Sequence, residues 1–320
     1  MAAARLTLAR EVQAKGVALH AGVEATLKLR PAPPPATGSD SPTYRHLPLK
    51  GGGSTRPELV EGRVPGGGQS PGGIQFQRLD LPGTAPFLAL WSNVADTRLG
   101  TVLKSTDGAT AGVVEHLLAA LAGAEIDDCI VELDGPEPPA LDGDSLSYLK
   151  LIDSAGTRPQ GARDLIRVKQ PVTVTSGSAS AKLLPSPRRE FFFEIDFPTA
   201  AIGRQSFELI LTPESFKRDI APARTFGFFK EAEQLRAAGY GRGADLQNTL
   251  VIDGDTLMNP GLLRFPDEYV RHKILDAIGD LALAGRPILA RFEGRRSSHT
   301  LNNQLLRALF SNPANYDITP

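Results

Sequence analysis

The sequence predicts an α+β fold of two domains, on three observations. The chain has 320 residues, about two domains' worth, and can bury a sizeable core. In each half, strand-like stretches come first and helix-like stretches afterwards, where a βαβ protein would alternate them. Between the halves, 154–163 (SAGTRPQGAR) has the small, polar composition of a boundary. The domains are therefore expected at 1–157 and 164–320.

The elements follow in order. Alternating patterns predict strands at 6–12 and 25–29, with KGVALHAG between them. His20, between Gly16 and Gly22, is read there as a structural hydrogen-bonder. Residues 35–71 are rich in Pro, Gly and Ser and show no period. Such a stretch cannot bury enough apolar surface to offset its ordering entropy, so a disordered surface insertion is expected, with His46 inert inside it. Strand pattern resumes at 73–76, and 95–103 reads as the entrance to a strand pair. An apolar helix is predicted at 111–122, closed by Gly123. A buried strand at Cys129–Leu133, a turn-rich loop at 136–144 and a helix at Leu146–Ala155 complete the first half.

The second half opens with strands at Leu165–Val168, 172–174, 190–197 and 206–211. A short helix at 230–238 and a strand at 249–252 follow. The longest helix is predicted at 266–285, with Pro266 and Asp267 in its first turn, Gly285 just past its end and Pro287 forbidding continuation. A strand at 288–293, a polar loop at 296–303 and a last helix near 304–310 close the chain.

Composition excludes several classes of function. Lys and Arg total 35 against 36 Asp and Glu, so no global field favours nucleic acid. No GxGxxG follows a strand and no basic stripe is present. A single cysteine, Cys129, excludes an intramolecular disulfide and a cysteine-rich zinc cage, so any metal must use His and carboxylates. No apolar run approaches ~20 residues, so no membrane-spanning helix is expected. The N-terminus is too polar for a secretory signal, and a trimmed transit peptide stays open.

Candidate chemistry sits on two helices and a loop. Along 266–285, Val270, Ile274, Ile278 and Leu281 form one stripe, while His272, Asp276 and Asp280 recur every four residues on the opposite side, with Lys273 beside them. Spacing alone favours a solvated, salt-linked face, although a His and a carboxylate one turn apart can also share one divalent ion. Glu115 and His116 interrupt the apolar helix 111–122, either as a surface rim or as buried groups satisfied by partners or metal. His116, His272 and Asp276 together make a His₂Asp set of the kind that holds catalytic zinc with a position left for water. Glu115 could take a proton from that water, and His299, in the polar loop, could protonate a leaving group.

These segments resemble a known family. VEHLLAAL (114–121), ARTFGF (223–228), VRHKILDAIGD (270–280) and SHTLNN (298–303) are similar to the signatures of LpxC, the UDP-3-O-acyl-N-acetylglucosamine deacetylases of lipid A synthesis. GVALHAG (16–22), 29–33, 96–99 and Leu141-Asp142-Gly143 fit as well, so the resemblance covers nearly all the chain outside 35–71. It implies a β-α-α-β sandwich of two similar domains with the site between them, and a zinc amidase, iron being a possible occupant. It implies His116, His272 and Asp276 as metal ligands, Glu115 as general base and His299 as general acid. Asp280 is implied to orient and charge His299, Thr225 to help hold the oxyanion, and Lys273 to contact substrate near the diphosphate. The stretch 226–252 is implied to be a strand–helix–strand insertion forming an apolar passage for the acyl chain, with Phe226, Phe229 and Leu235 in its lining. Phe197 is the match for an aromatic that stacks on uracil, and Arg296 for a basic residue near the nucleotide.

The resemblance further implies a soluble monomer, cytoplasmic if bacterial and organellar if eukaryotic. The long 35–71 segment is unusual for the bacterial enzymes. Three places depart from the family pattern: Val113 for a threonine, Gly243-Ala244-Asp245 for a Gly-Gly-Ser run, and Asp144-Ser145 for a Ser-Ala pair. None is a ligand or an acid–base residue. A zinc amidase for another acylated amino sugar, and a non-catalytic relative, are the alternatives.

Overall fold

The computed structural model describes residues 3–33, 72–261 and 263–319. The insertion expected at 35–71, with His46, lies outside the described residues.

The first half is built on strands β1 (Ala4–Leu8), β2 (Val12–Val17), β3 (Glu24–Pro31), β4 (Ile74–Arg78), β5 (Phe87–Leu88), β6 (Val94–Asp96), β7 (Val102–Lys104) and β8 (Thr110–Ala111). Helix α1 (Glu115–Gly123), strand β9 (Cys129–Leu133) and helix α2 (Leu146–Ala155) follow. The main sheet runs β2-β3-β9-β4-β5, and β6-β7-β8 form a smaller one. Alternation works as expected in β3, whose Ala25, Leu27 and Leu29 are buried. The predicted strand 6–12 is in fact two, broken at residues 9–11 so that β1 leaves the main sheet. β1 pairs instead with β10 (Thr157–Ala162), and the stretch read as a boundary is thus a strand joined to the first half.

The second half contains β11 (Leu165–Val168), β12 (Val172–Ser176), β13 (Ala179–Pro185), β14 (Glu190–Asp196) and β15 (Arg204–Ile210). After these come the single turn α3 (Pro213–Ser215), β16 (Phe226–Phe228), α4 (Phe229–Ala237), β17 (Leu250–Asp253) and β18 (Thr256–Leu257). Helix α5 (Glu268–Ala282), β19 (Ile288–Arg295), α6 (His299–Phe310) and β20 (Tyr316–Thr319) close the chain. A seven-stranded mixed sheet is organised around β19, which pairs antiparallel with β13 and parallel with β11 and β14. β16, β17 and β18 form a separate small sheet.

Helices α1 and α5 pack on each other, and α5 and α6 on the seven-stranded sheet. Their buried side chains belong to one continuous apolar core that includes both halves. This is the expected α+β, β-α-α-β arrangement. Two helix starts differ from the sequence prediction by several residues. α1 starts at Glu115, because Thr110 and Ala111 are spent in β8 and Val113 turns the chain at φ 51°. Gly123 closes α1 as its last residue, not as a left-handed residue past its end, and a Cβ there would run into the Phe216 ring. α6 begins at His299, not near 304, because Ser298 caps it by accepting the Leu301 N–H.

Candidate active site

Where α1 crosses α5, Gly279 lies so close to Glu115 that a Cβ there would overlap the Glu115 carbonyl oxygen. That approach sets the polar first turn of α1 against the polar stripe of α5. Both are buried: Glu115 is 3% exposed, His116 6%, His272 3%, Asp276 3% and Asp280 2%. The solvated face that spacing favoured on α5, and the surface rim considered for α1, are thereby corrected. α5 is sheltered on both stripes because α1, α6 and the sheet surround it.

Nε2 of His116 and Nε2 of His272 lie 3.5 and 3.4 Å from the same atom, Asp276 Oδ1. One ligand atom from each of the three residues falls within 4.8 Å of the others. Two ligands about 2.1 Å from a tetrahedral ion stand about 3.4 Å apart, so the two distances to Asp276 Oδ1 are those of a tetrahedron's edges. Asp276 Oδ1 is buried and has no hydrogen-bond partner among the described residues. An orphaned carboxylate oxygen facing two imidazole nitrogens is what a divalent cation satisfies. His272 is held ready: its Nδ1–H donates to Ala223 O at 3.1 Å, which leaves Nε2 as the lone-pair nitrogen. Burial first, then the neighbouring charges of His116 and Lys273, push its pKa down to about 4 against the pull of Asp276. Burial alone would raise Asp276, yet Lys273 and His272 hold its carboxyl well below the usual range. Lys273 Nζ bonds Asp276 Oδ2 at 2.6 Å, and that carboxylate keeps the ammonium above its ordinary pKa despite burial.

A second constellation borders the first. Glu115 Oε2 accepts the Thr101 N–H at 2.9 Å, while Oε1 stands 3.9 Å from His299 Nε2. Burial raises the Glu115 pKa, against the opposing pull of His299 and His116. His299 Nδ1–H donates to Asp280 Oδ2 at 2.8 Å. Asp280 is itself fixed by the Thr101 hydroxyl at 2.6 Å and the Asn302 amide at 2.9 Å. Burial would depress His299, but Asp280 and Glu115 outweigh it and raise the pKa to about 9. The site therefore sets a carboxyl with raised pKa beside an imidazolium, facing the His₂Asp cluster. Sequence reasoning missed the roles of Thr101, Ala223 and Asn302; Ala223 and Asn302 stood in quoted motifs, Asn302 one helical turn from His299, whereas Thr101 and Ala223 act through long-range contacts.

The Thr225 N–H donates to Gly143 O at 2.9 Å, and its hydroxyl makes no hydrogen bond among the described residues. Gly143 has φ 73° and abuts the Asn248 carbonyl, so no other residue fits this approach. The Phe226 ring lies 6.2 Å from His272 and 5.2 Å from Tyr269. Phe197 packs on Phe226 and Phe228, at 5.7 and 5.8 Å between rings. Leu235 is half-buried and Phe229 is 49% exposed, both on α4, which buries no residue. Arg296 is tied to Asp196 and, at 3.2 Å, to the Ser178 hydroxyl. His20 hydrogen-bonds as a structural residue, through Nε2 to Leu99 O and Nδ1 from Gly241 N–H. Cys129 is a buried thiol whose pKa burial pushes up to about 12.

The departures from the family pattern have local explanations. Asp144 accepts from Arg264 at 2.5 Å and from the Ser147 N–H at the start of α2. The Ser145 hydroxyl donates to the His116 carbonyl at 2.7 Å. Asp245 accepts from the N–H groups of Gln247 and Asn248. Nothing in the structure explains the preference for valine at position 113, where φ is unfavourable for a β-branched residue.

An α+β sandwich that closes two imidazoles, an orphaned carboxylate and an acid–base pair around one space defines a metal-assisted hydrolase. The profile of the family described as "LpxC: UDP-3-O-acyl N-acetylglycosamine deacetylase" matches residues 67–311. Proteins named UDP-3-O-acyl-N-acetylglucosamine deacetylase are similar to this chain. That of Myxococcus xanthus (strain DK1622) is 41% identical over 98% of this chain and 88% of its own length. That of Phenylobacterium zucineum (strain HLK1) is 46% identical over 75% and 83%. That of Brucella melitensis biotype 2 is 38% identical over 99% of each. The chain belongs to the LpxC family and is a deacetylase, a hydrolase acting on an amide. No helix among the described residues is long and apolar enough to cross a membrane.

Proposed function

We propose that the chain removes the N-acetyl group from UDP-3-O-acyl-N-acetylglucosamine, an early committed step of lipid A biosynthesis, with zinc held by His116, His272 and Asp276. The observation that carries this is the convergence of two Nε2 atoms on the orphaned Asp276 Oδ1, with Glu115 and His299 beside it. Two imidazoles and a carboxylate suit Zn²⁺ and also Fe²⁺. Such an ion supplies Lewis acidity and lowers the pKa of bound water to about 7.

The protein's own groups do the rest. Glu115 Oε1, unlike Oε2, has no backbone donor, so it is the oxygen that takes a proton from the attacking water. His299, kept protonated by Asp280, delivers a proton from Nε2 to the departing amine. The free hydroxyl of Thr225 donates to the oxyanion as the carbonyl becomes tetrahedral. Lys273 brings positive charge to the substrate side, and Phe197 and Arg296 are assigned to the uridine end. β16, α4 and β17 form the passage for the acyl chain, with Phe226, Phe229 and Leu235 along it. A monomer acting in the cytoplasm fits a nucleotide-sugar substrate.

Acetate release from UDP-3-O-acyl-N-acetylglucosamine tests this directly. It is expected to stop with chelator and return with Zn²⁺. Release only from a different acylated amino sugar in a substrate panel, or none from any, would overturn the assignment.

A further inference from the structure

Away from the catalytic cluster, at the C-terminal ends of α1 and α5, a cavity of about 70 Å³ lies where the two halves meet. Leu121 on α1, Ile278 and Leu281 on α5, and Phe191 on β14 contribute apolar walls. Arg163, Arg189 and Arg286 also line it, and none of the catalytic candidates does. From His116 to Ala122, where α1 reaches the cavity, the helix rises about 9 Å.

Three carboxylates, Asp127, Glu125 and Asp164, stand near these three arginines, but not all three arginines make direct contacts with them. Arg163 is engaged by Asp127 at 2.8 Å and Glu125 at 3.1 Å. Arg286 has a side chain only 7% exposed; its Nε stands 3.5 Å from Asp164 and is buried without a hydrogen bond. The Arg189 side chain forms no hydrogen bond or ion pair among the described residues. Desolvation, then the neighbouring Arg163, pushes its pKa down to about 10 against the pull of Glu125 and Asp127. A half-buried guanidinium with no direct partner among the described residues, beside the buried and unbonded Arg286 Nε, offers donors that an anion can satisfy, and the planar fork matches a carboxylate.

Size narrows the occupant. A water needs about 10–15 Å³ of such space and drug-sized ligands occupy pockets of about 300–1,000 Å³. The cavity is therefore too small for a nucleotide or a long acyl chain and large enough for an anion of a few heavy atoms. We propose that it binds a small organic carboxylate, its oxygens on Arg189 and Arg286 and its alkyl end against Leu121, Ile278 and Leu281. The ligand links β14 and its approach to the ends of both central helices, so its binding stabilises the junction between the halves.

Calorimetric titration of the metal-loaded full chain with sodium butyrate, at constant chloride, tests the site. Saturable binding is expected, weakened at least tenfold in Arg189→Met, with inorganic phosphate failing to compete. Arg189→Met should keep deacetylase activity within about twofold and melt no lower than the wild type without ligand, because it removes a half-buried charge that makes no hydrogen bond. The proposal is overturned by no saturable binding, by equal binding in the variant, by phosphate binding in place of butyrate, or by a variant that melts markedly lower because Arg189 was a structural tie.

Discussion

Asp280 shows how a single side chain can set the proton chemistry of its neighbours. Both its oxygens are occupied, by Thr101, Asn302 and His299, so its charge is aimed at one imidazole. His299 is raised to about 9 by that carboxylate, and its protonated form is the one that donates. The sign follows: kcat/KM should fall as pH rises through about 9. Asp280→Asn should move that alkaline limb toward the ordinary histidine value of about 6.5, and a profile unchanged in the variant would remove Asp280 from this role. Glu115→Ala and His299→Ala should each lower kcat by about 10²–10⁴-fold while elemental analysis finds zinc retained, the usual worth of a positioned base or acid. Asp276→Ala, which deletes the shared oxygen, should leave no bound zinc in the same analysis.

Among the elements, α5 was the most legible and also the most misleading. Its limits, its two stripes and its terminal Gly285 could all be read, the glycine sitting at φ 75°. The environment of the polar stripe could not, because periodicity reports that two faces differ and not what covers each. What covers it is α1, admitted by Gly279. Gly279→Ala should therefore force the helices apart, destabilising the protein by about 1–3 kcal/mol or more and reducing zinc affinity with it. Denaturant melts and a zinc titration read the two effects separately; a variant with wild-type stability would show that the crossing adapts. α6 was misplaced for a different reason. Thr300, Asn302 and Asn303 are weak helix formers, and the Ser298 cap that starts the helix over them left only a local signal.

For the molecule as a whole, the metal set joins the halves: His116 comes from the first, His272 and Asp276 from the second. A tightly held ion stabilises only the state in which both are docked. At a thousand times its dissociation constant it adds about 4 kcal/mol, on the order of 5–10 °C in melting temperature. Scanning calorimetry should find that loss after chelation and its recovery with Zn²⁺; an unchanged melting temperature would mean the three residues do not share an ion.

The residue types needed for the chemistry, their local spacing, the α+β class and the family signatures were all present in the linear chain, since each depends on neighbours within a few positions. Burial of Glu115 and the α5 stripe, the orphaned Asp276 oxygen, the clamp on Asp280 and the absence of a direct partner for the Arg189 side chain among the described residues came only with the folded chain. Those properties are set by contacts across 14 to 179 residues in the case of Thr101 alone, and by exclusion of water, which no short window of sequence contains.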